Sequence, residues 1–519
     1  MSKETATILK GTAVLTIAGL IVKMLGAVYR IPLARLIGDE GIGLYQMAYP
    51  IYLIFLSLSN AGIPIAISRI IAKQVSLDNY HGIKQVFRAS LCLTICLGLS
   101  AAIGMALAAE SLAKYVVADA RAVYAMWALA PGIFFMSMMA GFRGYFQGWQ
   151  EMTPSAISQV VEQIVRIVVA LVLAVLLLKS GIEHAAAGAA FGATAGGAAG
   201  LIYLIFCYLS KHRKLPVFKS KIIKNQLRLH QVIWNLIKYA LPISIATVLM
   251  PLLQALDSVI VPSCLQKIGY TISQATAMLG VLGNSWAVLY LPLIVTTALS
   301  SNMVPALAGF EKRNQELLVS RIEEGYRLAA IYLTPVMIVV FFGAESIYRI
   351  IYSTRQVEIL AWFAPAILFL GLQQVSAGIL QGLGRPNQPL YNFLAGALTK
   401  VAITTIATGF PGLNLAGAAL GTVCGSGLTA LLNFWAVRRL IVVRFPLKPS
   451  ILLAALGMSV CSWYLQRLVN LPYYFELIVV SGLSCLIYLG ILWLVGGITP
   501  RDLELLKQLK NGNKGDSLV

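Results

Sequence analysis

The chain has 519 residues, 59% of them hydrophobic and 12% charged, and its mean hydropathy is +0.81. A soluble globular chain carries about 25% charged residues, so this composition excludes an ordinary water-soluble enzyme and points to lipid as the solvent. A net charge of +20 would suggest nucleic acid on a soluble protein; in a membrane chain Lys and Arg gather in cytoplasmic loops, and no nucleic-acid partner is expected.

A helical span needs about 20 mostly apolar residues. Such runs recur at 10–31, 44–68, 89–109, 122–142, 155–178 and 185–208. A second series follows at 239–262, 277–304, 328–345, 359–381, 390–409 and 414–437, and two more runs lie at 449–466 and 477–496. The runs are continuous and rich in Leu, Ala, Ile and Val, unlike the short alternating segments of a membrane β-barrel. The predicted fold is therefore an all-α integral membrane protein of about 14 transmembrane helices. Lys23 interrupts the first run and no small-residue cleavage site precedes Arg30, so this run reads as an uncleaved span rather than a signal peptide.

Loop charges orient the spans. Most of the 40 Lys and Arg residues fall in the tails and in loops on the N-terminal side. The other side holds only Arg35, Lys114, Arg121, Lys179, Lys267, Arg349, Arg355 and Arg467. This asymmetry predicts an even number of spans with both termini in the cytoplasm. Segment 211–238 is rich in Lys and Arg, has no acid, and interleaves Ile222, Ile223, Leu227, Leu229, Val232 and Ile233. It reads as a basic cytoplasmic linker, amphipathic and lying on the anionic leaflet.

The parts on either side of this linker resemble one another. Phe146-Gln147-Gly148 matches Leu380-Gln381-Gly382, each at the end of a fourth span. The run from Ala186 to Gly192 matches that from Leu415 to Gly421, each opening a sixth span. An even number of helices per copy leaves the copies parallel, related by an axis along the membrane normal. The expected organisation is a six-helix lobe over 1–210, the linker 211–238, a second six-helix lobe over 239–440, helices 13 and 14 over 441–498, and a cytoplasmic tail over 499–519.

Ionisable residues within spans are costly and mark function. Lys23 and Arg30 share a face of the first helix two turns apart; cavity lining competes with snorkelling. Glu162 and Arg166 are spaced for an intrahelical ion pair, or for a ligand anion that competes for Arg166. Lys400 takes nearly the place of Arg166 under the repeat. Asp257 is a partner or ion-coupling site. Four cations against two acids suit an anionic headgroup such as a phosphate or pyrophosphate, so Lys23, Arg30, Arg166 and Lys400 are the candidate substrate-binding residues. Glu162 and Asp257 are the candidates for ion coupling or charge pairing.

The eighth run is threaded with polar residues and prolines, among them Asn284, Pro292, Thr296, Thr297 and Ser300, and the second carries Asn60 and Pro64. Pro64, Asn284 and Pro292 are candidate gating or bending positions; helix packing through small polar residues is the competing reading. The seven cysteines lack metal spacing and read as small apolar residues. The four histidines are scattered. No zinc-protease, nucleophile-elbow or phosphate-loop motif occurs, so neither catalysis, a metal nor a cofactor is expected.

Lys23-Met-Leu-Gly26, Arg30 and the stretch Ala34-Arg-Leu-Ile-Gly-Asp-Glu-Gly-Ile-Gly-Leu-Tyr45 resemble the start of bacterial polysaccharide-export flippases. Arg143-Gly-Tyr-Phe-Gln-Gly148 and Ser158-Gln-Val-Val-Glu-Gln-Ile-Val-Arg166 resemble the stage V sporulation protein B branch, which is similar to the lipid II flippases of the multidrug/oligosaccharidyl-lipid/polysaccharide exporter superfamily. The resemblance implies a two-lobed fold in the bacterial cytoplasmic membrane that alternates access. It implies a lipid-linked glycan as cargo, with spore-cortex peptidoglycan as one use and cell-wall synthesis enzymes as further partners. Lys23 matches a cavity-lining position of the lipid II flippases, and Arg30 a second with a one-residue shift. The basic residues those flippases carry in helices 2 and 8 have no counterpart in the corresponding spans. Two other functions fit the same composition: a cation-coupled multidrug exporter of the same superfamily, and a non-transporting scaffold for cell-wall enzymes.

Overall fold

The computed structural model describes residues 3–60, 62–212, 229–308, 315–352, 358–444, 447–468 and 471–497. Most of the expected basic linker (213–228) and the tail 499–519 lie outside the described residues. In hydrocarbon every backbone N–H and C=O must be satisfied within the chain, which leaves helices as the natural solution for these apolar runs.

The first part of the chain forms α1 (Lys3–Val28), α2 (Arg30–Asn60), α3 (Ile63–Ser76), α4 (Tyr80–Ser111), α5 (Ala122–Gly148), α6 (Met152–Leu177) and α7 (Ile182–His212). Then come α8 (Leu229–Lys267), α9 (Ile272–Ala308), α10 (Gln315–Phe342), the short α11 (Ala344–Tyr352) and α12 (Glu358–Gly382). The chain continues through α13 (Asn387–Thr408), α14 (Ala416–Leu440), α15 (Pro449–Leu468) and α16 (Tyr473–Leu494). Among the described residues 13 stretches are long and apolar enough to cross a membrane. The first, Val14–Ser76, is 63 residues long, more than two crossings of a core about 30 Å thick at about 1.5 Å per residue. It divides at Gly38 into two spans, which makes 14 crossing helices.

The joints follow from local chemistry. Gly38 has φ 66° and ψ −179°, a region that only glycine enters without strain. The sequence suggests a loop over 32–43; instead the chain stays helical on both sides of this single residue. Across Tyr29 the helical bonds continue, from Tyr29 N to Leu25 O (3.0 Å) and from Leu33 N to Tyr29 O (3.2 Å). Lys23 and Arg30 therefore stand on one continuous rod. Between α2 and α3 the helix breaks before Pro64, and the released N–H of Gly62 donates to Ser244 Oγ at 3.2 Å. A β-carbon at Gly62 would stand 2.2 Å from the carbonyl oxygen of Ala240, so the close approach requires glycine.

The contacts group the chain into two compact units, residues 1–291 with 404–418, and residues 292–403 with 419–519. Within each unit helices pack through small residues, as helices in lipid do. In the first, Gly144 and Gly148 of α5 lie against Ile67 and Ile71 of α3, and Gly196 of α7 lies against Arg166 of α6. In the second, Gly378 and Gly382 of α12 lie against Ser300 and Leu307 of α9, and Gly425 of α14 lies against Lys400 of α13. Gly148 and Gly382 are partners in the matched Gln-Gly stretches of the sequence, and each lies against the span two before its own.

The tightest crossing in the first unit joins α2 to α9. A β-carbon on Gly43 would stand 1.9 Å from Thr276 O, and one on Gly280 would stand 1.8 Å from Asp39 O. On α16, by contrast, nothing lies within 4 Å of a β-carbon at Gly482. Gly43→Ala and Gly280→Ala should therefore each lower stability by about 1–3 kcal/mol through overpacking. Gly482→Ala should leave stability unchanged or raise it by about 0.5–1 kcal/mol, since alanine is the better helix former. Thermal unfolding of the detergent-purified variants measures both signs.

Candidate functional site

A cavity of about 180 Å³ opens within the first unit, where α2 and α9 part beyond their glycine crossing. Its polar lining comprises Arg30, Gln46, Gln254, Asp257 and Ser258; its aromatic lining is Tyr49, Trp286 and Tyr290. Helical spacing places Gln46, Tyr49 and Leu53 on one face of α2, and Gly283, Trp286 and Tyr290 on one face of α9. Ser258 Oγ donates to Gln46 O at 2.9 Å and ties α8 to α2 at the cavity wall. Tyr45 and Tyr49 stack with centroids 5.1 Å apart, and Trp286 and Tyr290 stack at 5.3 Å. Of the residues singled out from the sequence, the structure brings Arg30 and Asp257 together on this cavity.

A polar clamp closes the end of the bundle next to Gly38. Arg121 donates to Glu40 Oε1 (2.7 Å) and, through Nε and a terminal nitrogen, to both carboxylate oxygens of Asp119 (3.0 and 2.8 Å). From α9, Ser273 donates to Glu40 at 2.6 Å, Thr276 to the buried Asp119 at 2.8 Å, and Asn284 to Asp39 at 3.0 Å. The hydrogen bonds with Asp119, aided by those with Glu40 and opposed by burial, raise the Arg121 guanidinium above its ordinary value. It stays a cation at every accessible pH. Asn284, a candidate for bending, is thus one strand of this clamp.

Glu162 and Arg166 do form the intrahelical pair, at 3.3 Å. The other oxygen of Glu162 accepts from Arg143 of α5 at 3.0 Å, and Arg143 Nε also donates to Ser158 Oγ. One buried carboxylate thus holds two arginines, an arrangement that satisfies its lone pairs and leaves a net positive charge. Arg166 Nε and Tyr52 OH are buried and make no hydrogen bond within the described structure.

Lys23 is exposed on α1, seven residues before Arg30 and so about 10 Å along the same face. Lys400 belongs to the second unit, half-buried where α13 meets Gly425. Pro64 stands in the first turn of α3. Pro292 is the first residue of the second unit, and its carbonyl accepts from Tyr332 OH at 3.3 Å. The hydroxyls of the eighth span serve packing: Thr296, Thr297 and Ser300 donate to the side chain and backbone of Gln374 on α12.

Sequence reading missed the aromatic residues Tyr49, Trp286 and Tyr290, the amides Gln46 and Gln254, and the structural role of Arg143. The aromatic pairs have i,i+4 spacing, a detectable signal, but most such pairs in apolar helices are ordinary packing. Arg143 lies just outside its predicted span and so escaped the inventory of buried charges.

Among the described residues the apolar helices define a multi-pass membrane protein, and the comparisons with known proteins make it a transporter. A family model, "Polysaccharide biosynthesis protein", matches residues 8–310. The chain is 31% identical to "Stage V sporulation protein B" of Bacillus subtilis (strain 168), over 86% of each chain. It is 26% identical to "Lipid II flippase MurJ" of the same organism, over 83% of this chain and 82% of that one. A solved structure, "Lipid II flippase MurJ, inward closed conformation", superposes with a TM-score of 0.69 at 15% identity, covering 92% of this chain and 98% of that one. The chain belongs to the polysaccharide biosynthesis protein family, and one of the relatives named here is a lipid II flippase.

Removing Arg143 leaves Glu162 half-paired in a site secluded from water. Arg143→Met should destabilise the protein by about 3–5 kcal/mol. Adding Glu162→Gln to that variant should recover part of the loss, because the uncompensated charge is then gone. Thermal unfolding of the single and double variants reads the coupling.

Proposed function

We propose that this protein is a flippase. It moves an undecaprenyl-linked cell-wall precursor, lipid II-like or another lipid-linked oligosaccharide, from the inner to the outer leaflet of the bacterial cytoplasmic membrane. Both termini are cytoplasmic in this reading, as the loop charges require, and one use is the supply of spore-cortex peptidoglycan. The observation that carries the proposal is the placement of Arg30 on a polar cavity at membrane depth, with Lys23 about 10 Å along the same helical face. The 26% identity to a protein named a lipid II flippase supports the same cargo class.

In this mechanism the pyrophosphate engages Lys23 and Arg30, with Arg166 and Lys400 as further cations, while the polyprenyl tail stays in lipid. The six-plus-six-plus-two organisation supplies two lobes, 1–210 and 239–440, that rock about the site. Pro64 and Pro292 interrupt the helical ladder where bending costs least. The polar clamp at Gly38 then closes the outer mouth, and its opening releases the headgroup. The membrane potential acts on the charge moved, and Asp257 or Glu162 is the site through which an ion couples. Cell-wall synthesis enzymes are the partners that would consume the product.

A cation-coupled drug exporter would require a cavity dominated by acids. This cavity balances Asp257 with Arg30, which favours the flippase. A scaffold without transport predicts normal precursor translocation when the protein is depleted.

In proteoliposomes carrying a fluorescent lipid-linked precursor, Arg30→Ala and Lys23→Ala should each slow translocation by about tenfold or more, the worth of a charge-assisted hydrogen bond. Size-exclusion profiles should remain those of the parent protein. Full rates in both variants would remove the cationic site from the mechanism. Depletion in cells should accumulate precursor in the cytoplasmic leaflet.

A further inference from the structure

Most of the cavity's lining is of no use to the phosphates that Arg30 would meet at its edge. Its lining holds one cation, Arg30, and one carboxylate, Asp257, so its formal charges cancel. A pyrophosphate carries at least two negative charges and would meet Asp257 as a repulsive neighbour. The rest of the lining is three aromatic rings, two primary amides and a hydroxyl: Tyr49, Trp286, Tyr290, Gln46, Gln254 and Ser258. Trp286 and Tyr290 stack at 5.3 Å with planes 26° apart, which fixes the two rings of α9 face to face as one aromatic unit on the cavity wall. Tyr49 is held across from them on α2 by its own stack on Tyr45, 17° from parallel.

Each component has a counterpart in a pyranose. The C–H bonds on one face of the ring carry partial positive charge and complement the negative face of an aromatic system. Hydroxyls donate and accept at once, so they pair with amides, which offer both functions, and with a carboxylate or a guanidinium. A planar aromatic platform with amides at its edge therefore recognises a neutral ring that is apolar on its face and polar on its rim. A phosphate has no apolar face and gains nothing from the platform.

We infer that the cavity walled by Tyr49, Trp286 and Tyr290, with Gln46, Gln254 and Asp257 on its rim, is a sugar subsite that seats one neutral pyranose ring. This rests on the flippase reading and refines it. Arg30 sits at the junction, shared by the sugar and by the phosphates that lie toward Lys23. The subsite reads the glycan; the cationic face reads the anion common to all polyprenyl-linked cargo.

Saturation-transfer NMR on the purified full-length protein in detergent tests this directly, with N-acetylglucosamine and glucose as probes. Irradiation of the aromatic protons should transfer saturation to the sugar-ring C–H protons. Trp286→Leu should weaken that signal by about five- to tenfold, the worth of one aromatic contact, and Gln254→Leu should weaken it comparably. Inorganic pyrophosphate should not displace the sugar. Gly482→Ala, remote from the cavity, serves as the folded control, and thermal unfolding of Trp286→Leu guards against a loss of fold. Undiminished transfer in folded Trp286→Leu, or displacement of the sugar by pyrophosphate, would overturn the sugar subsite. Translocation separates this from the parent reading. A precursor flipped at the parental rate by Trp286→Leu overturns the subsite and leaves the flippase standing. Sugar binding by a protein that flips no precursor overturns the flippase and leaves the subsite.

Discussion

The crossing of α2 and α9 at Gly43 and Gly280 is the contact on which the site depends. Two backbones meet there with no room for a β-carbon on either glycine. One turn further along, Gly283 still admits only the Gln46 side chain. Beyond that, side chains of full size return, and the helices are held apart by Tyr49 on one and Trp286 and Tyr290 on the other. The cavity is thus a consequence of the crossing. Small residues fix where the helices touch, and large ones, two turns away, fix how far they separate. The clamp of Asp39, Glu40, Asp119 and Arg121 stands on the same end and is joined to α9 by Ser273, Thr276 and Asn284. Its hydrogen bonds lock the crossing in register.

Lipid makes every polar side chain a question of partners. The molecule answers in two ways. Most polar groups pair across helices: Thr296 and Ser300 with Gln374, Asn392 with Asn433 at 2.8 Å, Ser462 with Ser484 at 2.9 Å, and Glu162 with Arg143 and Arg166. These bonds hold the bundle together where apolar surface gives no driving force against an apolar solvent. The other group gathers on the cavity. The distinction matters for reading function, because a polar residue in a span earns significance from its address and not from its chemistry alone. The polar residues of the eighth span illustrate this: Asn284 belongs to the clamp and Thr296 to packing, while Trp286 and Tyr290 between them line the cavity.

Much of this was legible in the residues. Hydropathy marked all the spans, because the need for about 20 apolar residues is a property of the bilayer and not of the fold. The repeat pointed to Arg166 and Lys400 as equivalents, and each does lie against a glycine of the following span. The i,i+4 pair of Glu162 with Arg166 followed from helical geometry. The corner at Gly38 was not legible, since a polar stretch containing Asp39 and Glu40 has the composition of a loop. Its helical state depends on partners far along the chain, Arg121 and Ser273 among them. Nor could spacing reveal that Glu162 answers to Arg143, which stands on another helix 19 residues away. The aromatic wall was hidden for a similar reason: in an apolar helix, a tyrosine facing lipid and one facing a cavity have the same neighbours in sequence.

The placement of charge is the last constraint. A transporter must release what it binds, so a site that matched its cargo's full charge at one place would hold it. Here the intramembrane cations are spread out. Arg166 is already engaged by Glu162, and Arg30 shares its cavity with Asp257. Lys23 is exposed on α1, and Lys400 lies in the other unit. Arg166 and Arg30 are thus partly offset by neighbouring carboxylates, and Lys23 is exposed. Groups without charge are then the ones left to discriminate, and beside Arg30 this fold sets an aromatic and amide wall.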